Sequence, residues 1–332
     1  MERYVHVSFG RAMHPALSPT NIFAPVSTPA QSIFDLSLFV LIVTGAIFVV
    51  VFSLLAYVVV KFRKRAASDE HEPPQVYGST QVELAWTVIP TLIVVVLFLA
   101  AARVIASIQN ASRPSNALEV TVIGHQFWWE YRYPSLKVVT ANELHIPVND
   151  PAHPAPTFLT LLSADTDHSF WVPRLAGKTD LIPNHPNSMW VDPHQTGLYL
   201  GQCAQYCGTQ HALMLLRVYV DSRQDFERWT QEQSRPAHIG ATVSEGKRIF
   251  EGTACVNCHT IAGTPATGTF GPDLTHLMSR QTIAAGASKN TLGNLIAWIY
   301  NPAVIKPGCK MPSMGLSTQQ AAEVAEYLAT LR

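Results

Sequence analysis

Residues 203–214 read CAQYCGTQHALM and set four soft donors, Cys203, Cys207, His211 and Met214, within twelve residues. In an exported chain two such thiols can close a disulfide. Two thiolates with two imidazoles can also hold zinc tetrahedrally. Neither arrangement uses a thioether, whereas Cys, His and Met together suit copper employed for electron transfer. A second imidazole stands upstream, His168 in DHSFWVP, at the end of a predicted strand that folding can bring to the cysteine loop. The residues alone leave copper, zinc and a disulfide open, with Met214 favouring copper.

Downstream, Cys255, Val256, Asn257, Cys258 and His259 form C-x-x-C-H. The thiols of this motif add to haem vinyl groups, and the histidine that follows turns its imidazole onto the iron. A sulfur as the second axial ligand raises the potential and closes the iron to oxygen, which suits a carrier. Met311 in KPGCKMP is the expected ligand, and Met314 competes for the role. Cys309, the remaining one of five cysteines, reads as a small buried residue, with a reactive or intermolecular thiol as the lesser alternative. A polar stretch from Asp225 to His238 reads as a linker. From Thr242 the periodicity is helical, and Val324, Tyr327, Leu328 and Leu331 form an apolar stripe behind a capping box of Ser317 and Gln320.

Upstream of the cysteine loop, alternation of apolar and polar residues with frequent Pro and Asn predicts short strands from about Leu118 to Val220. Before that lie two uncharged apolar runs, Leu36 to Val60 and Leu84 to Ala102, each long enough to cross a bilayer. Asp35 and Lys61 bracket the first, Glu83 and Arg103 the second. Lys61, Arg63, Lys64 and Arg65 hold the intervening loop on the cytoplasmic side, so both termini face outward. The first 33 residues show no charged stretch, compact apolar core and small-residue cleavage site in succession, so no removable signal peptide is read there. The 332 residues carry 23 basic and 23 acidic side chains, and nothing in that balance calls for nucleic acid.

The cysteine loop resembles the CuA loop of cytochrome c oxidase subunit II, C-x-E-x-C-G-x-x-H-x-x-M preceded by a distant H-S-[WF]. The likeness extends to VELAWTVIP with Glu83, Trp86 and Pro90, to GHQFWWEY at residues 124–131, and to GKTDLIP before the loop. The C-terminal part resembles a class I cytochrome c through C-x-x-C-H, Gly271-Pro272 and KPGCKMP. The resemblance implies a two-helix transmembrane hairpin, then a cupredoxin-like β-sandwich, then an all-α class I cytochrome c domain. The corresponding boundaries are an N-terminal segment 1–33, a hairpin 34–107 with helices about 36–60 and 84–103, a CuA domain 116–223, a linker 224–240 and a cytochrome domain 241–332.

Carried over by the same resemblance, Cys203 and Cys207 bridge two coppers, His168 and His211 each terminate one, and Met214 and the Gln205 backbone carbonyl are the weaker ligands. Haem c is held by Cys255 and Cys258, with His259 and Met311 axial. Glu83 is placed near a proton-channel entrance, although an acid at a helix N-terminus is equally favoured by the dipole. Two positions depart from the family. Gln205 replaces the usual Glu, whose side chain reaches magnesium at the boundary with subunit I, which puts magnesium in doubt and leaves Asp180 as a member of that site. Phe127 stands where the family has the tryptophan that takes electrons from soluble cytochrome c, so Trp128 becomes the candidate for electron arrival. These changes together suggest that the attached haem supplies most electrons.

The implied activity is that of a haem-copper oxidase subunit in the bacterial inner membrane, with its copper and haem domains on the periplasmic side. Electrons would run from a periplasmic cytochrome c or an upstream cytochrome complex through haem c and CuA to subunit I, in a complex that includes subunit III and pumps protons. The same subunit on a nitric oxide reductase has no contrary residue. A free-standing tethered carrier is disfavoured because one helix would suffice as a tether, and a quinol oxidase subunit because those lack the copper ligands.

Overall fold

A computed structural model describes residues 20–63, 75, 77–150, 154–240 and 243–332. Residues 1–19 of the N-terminal segment, Lys64 and Arg65 of the cationic loop, and Thr242 lie outside the described residues.

The two apolar runs form α1 (Thr28–Lys61) and α2 (Thr80–Gln109). Both are longer than the expected 36–60 and 84–103, because polar residues at each end continue the helix beyond the uncharged stretch. At 1.5 Å per residue the 34 residues of α1 reach about 50 Å and the 30 of α2 about 45 Å, against a hydrocarbon core about 30 Å thick. Their large apolar side chains are exposed along most of both lengths, as suits helices that cross a membrane. Glu83 sits in the first turn of α2, where the helix dipole favours an acid.

Residues 118–221 fold into ten strands: β1 (Leu118–His125), β2 (Trp128–Tyr133), β3 (Val138–Ala141), β4 (Glu143–Pro147), β5 (Thr157–Ser163), β6 (His168–Trp171), β7 (Thr179–Leu181), β8 (Asn187–Val191), β9 (Gly197–Cys203) and β10 (Leu215–Asp221). One sheet runs β3-β2-β1-β5-β8 and the other β4-β10-β9-β6-β7. Alternation sets the core. Val120 and Val122 of β1 and Leu216, Val218 and Val220 of β10 are buried, and residues beside them along each strand are more open. Each of these side chains fully removed from water contributes about 1.5–3 kcal/mol. The segment before α1 is tied to this sandwich by Asp192, which accepts hydrogen bonds from Ser27 Oγ (2.8 Å) and the Thr28 amide (2.7 Å).

Within the expected linker 224–240 the chain is largely helical: Arg223–Gln233 form α3, capped by Ser222 Oγ accepting from the Asp225 amide. Its charged residues face solvent, and that polarity gives the segment the look of a linker. Phe226 and Trp229 sit three apart on the other face and meet Tyr133 and His145 of the sandwich.

The C-terminal domain contains α4 (Ser244–Gly252), α5 (Cys255–Cys258), α6 (Leu292–Tyr300), α7 (Pro302–Ile305) and α8 (Thr318–Leu328). A hairpin of two-residue strands, β11 (Thr282–Ile283) and β12 (Ser288–Lys289), interrupts the otherwise helical domain. The capping box of Ser317 and Gln320 starts α8, and Val324, Tyr327, Leu328 and Leu331 are all buried. Helices α4 and α8 cross at Gly246, where a Cβ would lie 1.9 Å from the Glu323 carbonyl oxygen; only glycine permits that approach.

Candidate copper and haem centres

Register brings the first centre together. Phe170 of β6 pairs with Cys203 of β9, so the His168 end of one strand and the Cys203 end of the other lie side by side. The Cys203 amide donates to the Met214 carbonyl at 3.0 Å, closing residues 204–213 into a loop that returns into β10. All six sulfur, nitrogen and carbonyl donors expected from the sequence meet there. Cys203 Sγ lies 3.9 Å from Cys207 Sγ, 3.9 Å from His168 Nδ1 and 3.1 Å from the Gln205 carbonyl oxygen. Cys207 Sγ lies 3.7 Å from His211 Nδ1 and 3.9 Å from Met214 Sδ.

A sulfur separation of 3.9 Å is nearly twice a disulfide bond length of about 2.05 Å, so the thiols are unlinked. They are close enough to hold one cation between them. Cys203, Cys207, His168 and Met214 are buried, and few competing ligands can reach them from solvent. The hydrogen bond from Cys207 holds the Cys203 thiol far below its usual range, against burial and with help from His168; the same shared proton raises Cys207. Asp165 Oδ1 accepts from His168 Nε2 at 2.8 Å, which leaves Nδ1 to face the sulfurs. Asp165 was not singled out from sequence, although it lies three residues before His168 and within reach of the same strand end.

The second centre is a cleft enclosing about 1210 Å³ of empty space, its open mouth included. Cys255, Cys258, His259, Met311 and Met314 all line it, so both candidate methionines border the same space. His259 Nδ1 bonds to the Pro272 carbonyl at 2.7 Å, fixing the ring as a donor there and leaving Nε2 as the lone-pair atom. Burial lowers the pKa of His259, which keeps the imidazole neutral. Gly271 lies flat against that ring: a Cβ would stand 2.6 Å from His259 Cε1. Arg280 lines the cleft, is 7% exposed and leaves Nε without a partner, although one amino group donates to the Asp273 carbonyl. A flat macrocycle with anionic side chains fits these walls: thiols to anchor it, a preset imidazole, and an unmet buried cation.

The sandwich also lines the cleft. Phe127 and Trp128 border the cleft and are 5% and 9% exposed. Trp128 stacks on His125 with ring centroids 4.1 Å apart, and His125 Nε2 lies 3.0 Å from Glu130. The helical domain is held against this face by named bonds. Lys306 Nζ donates to the Phe127 carbonyl at 2.8 Å, the Leu215 amide to the Ala285 carbonyl at 3.2 Å, and the Gln210 side-chain amide to the Pro307 carbonyl. Glu143, buried, accepts from the Gln281 amide (3.0 Å) and from the Thr282 amide and hydroxyl at 2.9 and 2.6 Å. Gln126, also on the cleft wall, donates its side-chain amide to the Cys207 carbonyl at 2.6 Å.

Other sequence candidates lie apart from both clusters. His145 stacks on Trp229 and bonds Asp221, and His276 bonds the Arg235 carbonyl, so both imidazoles are engaged in the fold. Asp180, the residue left for magnesium once Gln205 stands for glutamate, pairs with Lys178 Nζ at 3.2 Å.

A membrane-anchored β-sandwich with a thiol and imidazole cluster, closed against a domain built round C-x-x-C-H, defines a membrane-bound electron-transfer protein. Family models match all three parts: cytochrome c oxidase subunit II, transmembrane domain, over residues 18–104; cytochrome c oxidase subunit II, periplasmic domain, over 152–220; and cytochrome c over 243–332. The chain belongs to the cytochrome c oxidase subunit 2 family. Cytochrome c oxidase subunit 2 of Alkalihalophilus pseudofirmus is 32% identical over 317 residues, which cover 93% of this chain and 90% of that one. Its counterpart from Bacillus sp. strain PS3 is 32% identical over 293 residues, 82% of this chain and 80% of that one. Among solved structures, the periplasmic domain of cytochrome oxidase subunit II of Bradyrhizobium japonicum is similar, at 28% identity and a TM-score of 0.34, over 37% of this chain and 96% of that one. The chain is therefore a two-span membrane subunit of an oxidoreductase complex, with a copper-binding domain and a haem c domain, and other oxidase subunits complete it.

Proposed function

We propose that this chain feeds electrons into a haem-copper oxidase, its haem c and a dinuclear copper centre handing single electrons from a periplasmic donor to subunit I, where oxygen is reduced and protons are translocated. The observation that carries this reading is the shared wall. Gln126, Phe127 and Trp128 border the haem cleft, and Gln126 also bonds the carbonyl of Cys207.

Cys255 and Cys258 would supply the thioether links that anchor a haem, and His259 and Met311 would supply donors to its iron. Cys203 and Cys207 hold copper as paired thiolates, His168 and His211 end the pair, and Met214 and the Gln205 carbonyl complete it. The donor set supports two ions over one. His168 forms a cluster with Cys203 and Cys207 whose ligand atoms all lie within 4.8 Å of one another, while His211 comes in from the Cys207 side. Neighbouring strands β6 and β9 of one sheet, with the loop between β9 and β10, hold these groups, so a change of charge need not move them. Glu83 and the coupling to proton uptake belong to the face shared with subunit I. The cationic loop after α1 sets the sandwich and haem domain on the periplasmic side of a bacterial inner membrane.

Phe127 supports the attached haem as the main source of electrons. Its ring, at the family's electron-receiving position, is buried, and its backbone carbonyl accepts from Lys306 of the helical domain. The test is the purified oxidase with its native partners, assayed for copper content, covalent haem and oxygen uptake driven by reduced cytochrome c. Two coppers and one haem c in this chain are expected. A single zinc and no copper would refute the reading. Replacing both haem thiols, Cys255→Ser with Cys258→Ser, is expected to cut donor oxidation at least tenfold while copper content holds, and undiminished turnover would show that electrons bypass this domain.

A further inference from the structure

Lys306 is the buried cation that the reaction described above does not use. It is 2% exposed, and it borders the haem cleft at the junction of the two domains. Its Nζ donates to the Phe127 carbonyl at 2.8 Å and to the Ala284 carbonyl at 3.2 Å. An ammonium group has three donors, so one remains. Among the described residues no carboxylate lies within ion-pair distance of it; the acidic groups that bear on it are the thiols of Cys309 and Cys207. Burial brings its pKa down to about 8, so at neutral pH it still carries its charge. A charge buried with carbonyls alone is costly, and native structures supply an anion in such places.

The cleft itself indicates which anion. A haem brings two propionate carboxylates, and two buried cations border the space it fills, Arg280 with an unmet Nε and Lys306 with an unmet Nζ donor. The two cations come from different parts of the domain, Arg280 before β11 and Lys306 after α7.

We propose that Lys306 is a propionate-binding residue, and that it joins a haem carboxylate to the Phe127 carbonyl of the copper-bearing sandwich. The inference rests on haem attachment at Cys255 and Cys258. It couples haem loading to domain docking, because the same ammonium group contributes to both. A cation held beside the macrocycle also favours the reduced, less positive iron, so Lys306 acts as a positioning residue that raises the haem c potential.

The test uses the intact oxidase with Lys306→Met, which keeps the apolar stem, and Lys306→Arg, which keeps the charge. Redox titration of haem c is expected to show a lower midpoint potential in Lys306→Met and a value near that of the unaltered protein in Lys306→Arg. An unchanged potential in Lys306→Met, with haem attached, would overturn the proposal. Should Lys306→Met fail to assemble, a map of the unaltered oxidase decides: Nζ within hydrogen-bond reach of a propionate oxygen supports the assignment, and separation from both propionates beyond about 4 Å rejects it. Haem staining of the denatured chain is read separately. Absence of covalent haem from the unaltered protein would remove the function proposed above and this inference with it, whereas an attached haem with an indifferent Lys306 removes this inference only.

Discussion

Asp165 shows how a single residue conditions the copper cluster without entering it. Its Oδ1 accepts from His168 Nε2 at 2.8 Å, and its Oδ2 from the Gln126 amide at 2.6 Å. One carboxylate therefore fixes both the imidazole that faces Cys203 and the residue that separates the haem cleft from Cys207. Partners behind a metal-ligating histidine are worth about 10–100-fold in affinity. Asp165→Ala is accordingly expected to lose copper to a chelator at least tenfold faster, with haem c unaltered, as followed by copper analysis against time. At this scale the sequence was readable where chemistry clusters locally. Cys203, Cys207, His211 and Met214 lie in one loop, and their donors meet as their types and spacing suggested. Arg280, Glu143 and Lys306 were not readable, because acids and bases of those types are ordinary on surfaces and only tertiary burial makes them exceptional; exposed Asp165 is set apart only by its bonds to His168 and Gln126.

Among elements, the long apolar helices and the alternating strands announced themselves through period, and α3 did not. Its sequence RQDFERWTQEQ is dominated by charged and amide residues, and only Phe226 and Trp229 betray an apolar face. Those two rings account for its place. Trp229 stacks on His145 with centroids 4.4 Å apart and meets Tyr133 edge-on at 5.4 Å, and Tyr133 in turn donates its hydroxyl to the His145 carbonyl at 2.8 Å. A segment that carries the chain from sandwich to cytochrome is thus pinned to the first of these. Trp229→Ala is expected to free it at a cost of about 2 kcal/mol, below the full core value because the ring is only half-buried. Hydrogen exchange should rise across residues 223–233, and the copper spectrum should stay as it was. The small hairpin of β11 and β12 was likewise hidden, since two-residue strands carry no readable period.

For the whole molecule, the consequence of docking lies in what electron transfer depends on. The bonds that hold the cytochrome domain to the sandwich are short and largely buried: Glu143 with Thr282, Lys306 with Phe127, Leu215 with Ala285. None is a pair of exposed charges attracting across solvent, so salt has little to screen. An incoming protein donor is different, because diffusional encounter between proteins is steered by fields that fall off within about 8 Å at physiological ionic strength. Raising the salt from about 0.01 M to about 0.5 M shortens that reach severalfold. On the proposed route, haem c reduction by a soluble cytochrome c is therefore expected to change severalfold over that range, while the passage of the electron from haem c to copper keeps its rate within about twofold. Rapid-mixing spectroscopy resolves the first step and flash-induced electron injection the second. A haem-to-copper rate that falls in parallel with donor binding would mean that the two domains part in solution and meet anew for each electron. Glu143→Gln would then be expected to slow the step further, because an amide cannot supply the carboxylate that receives all three donors of Gln281 and Thr282.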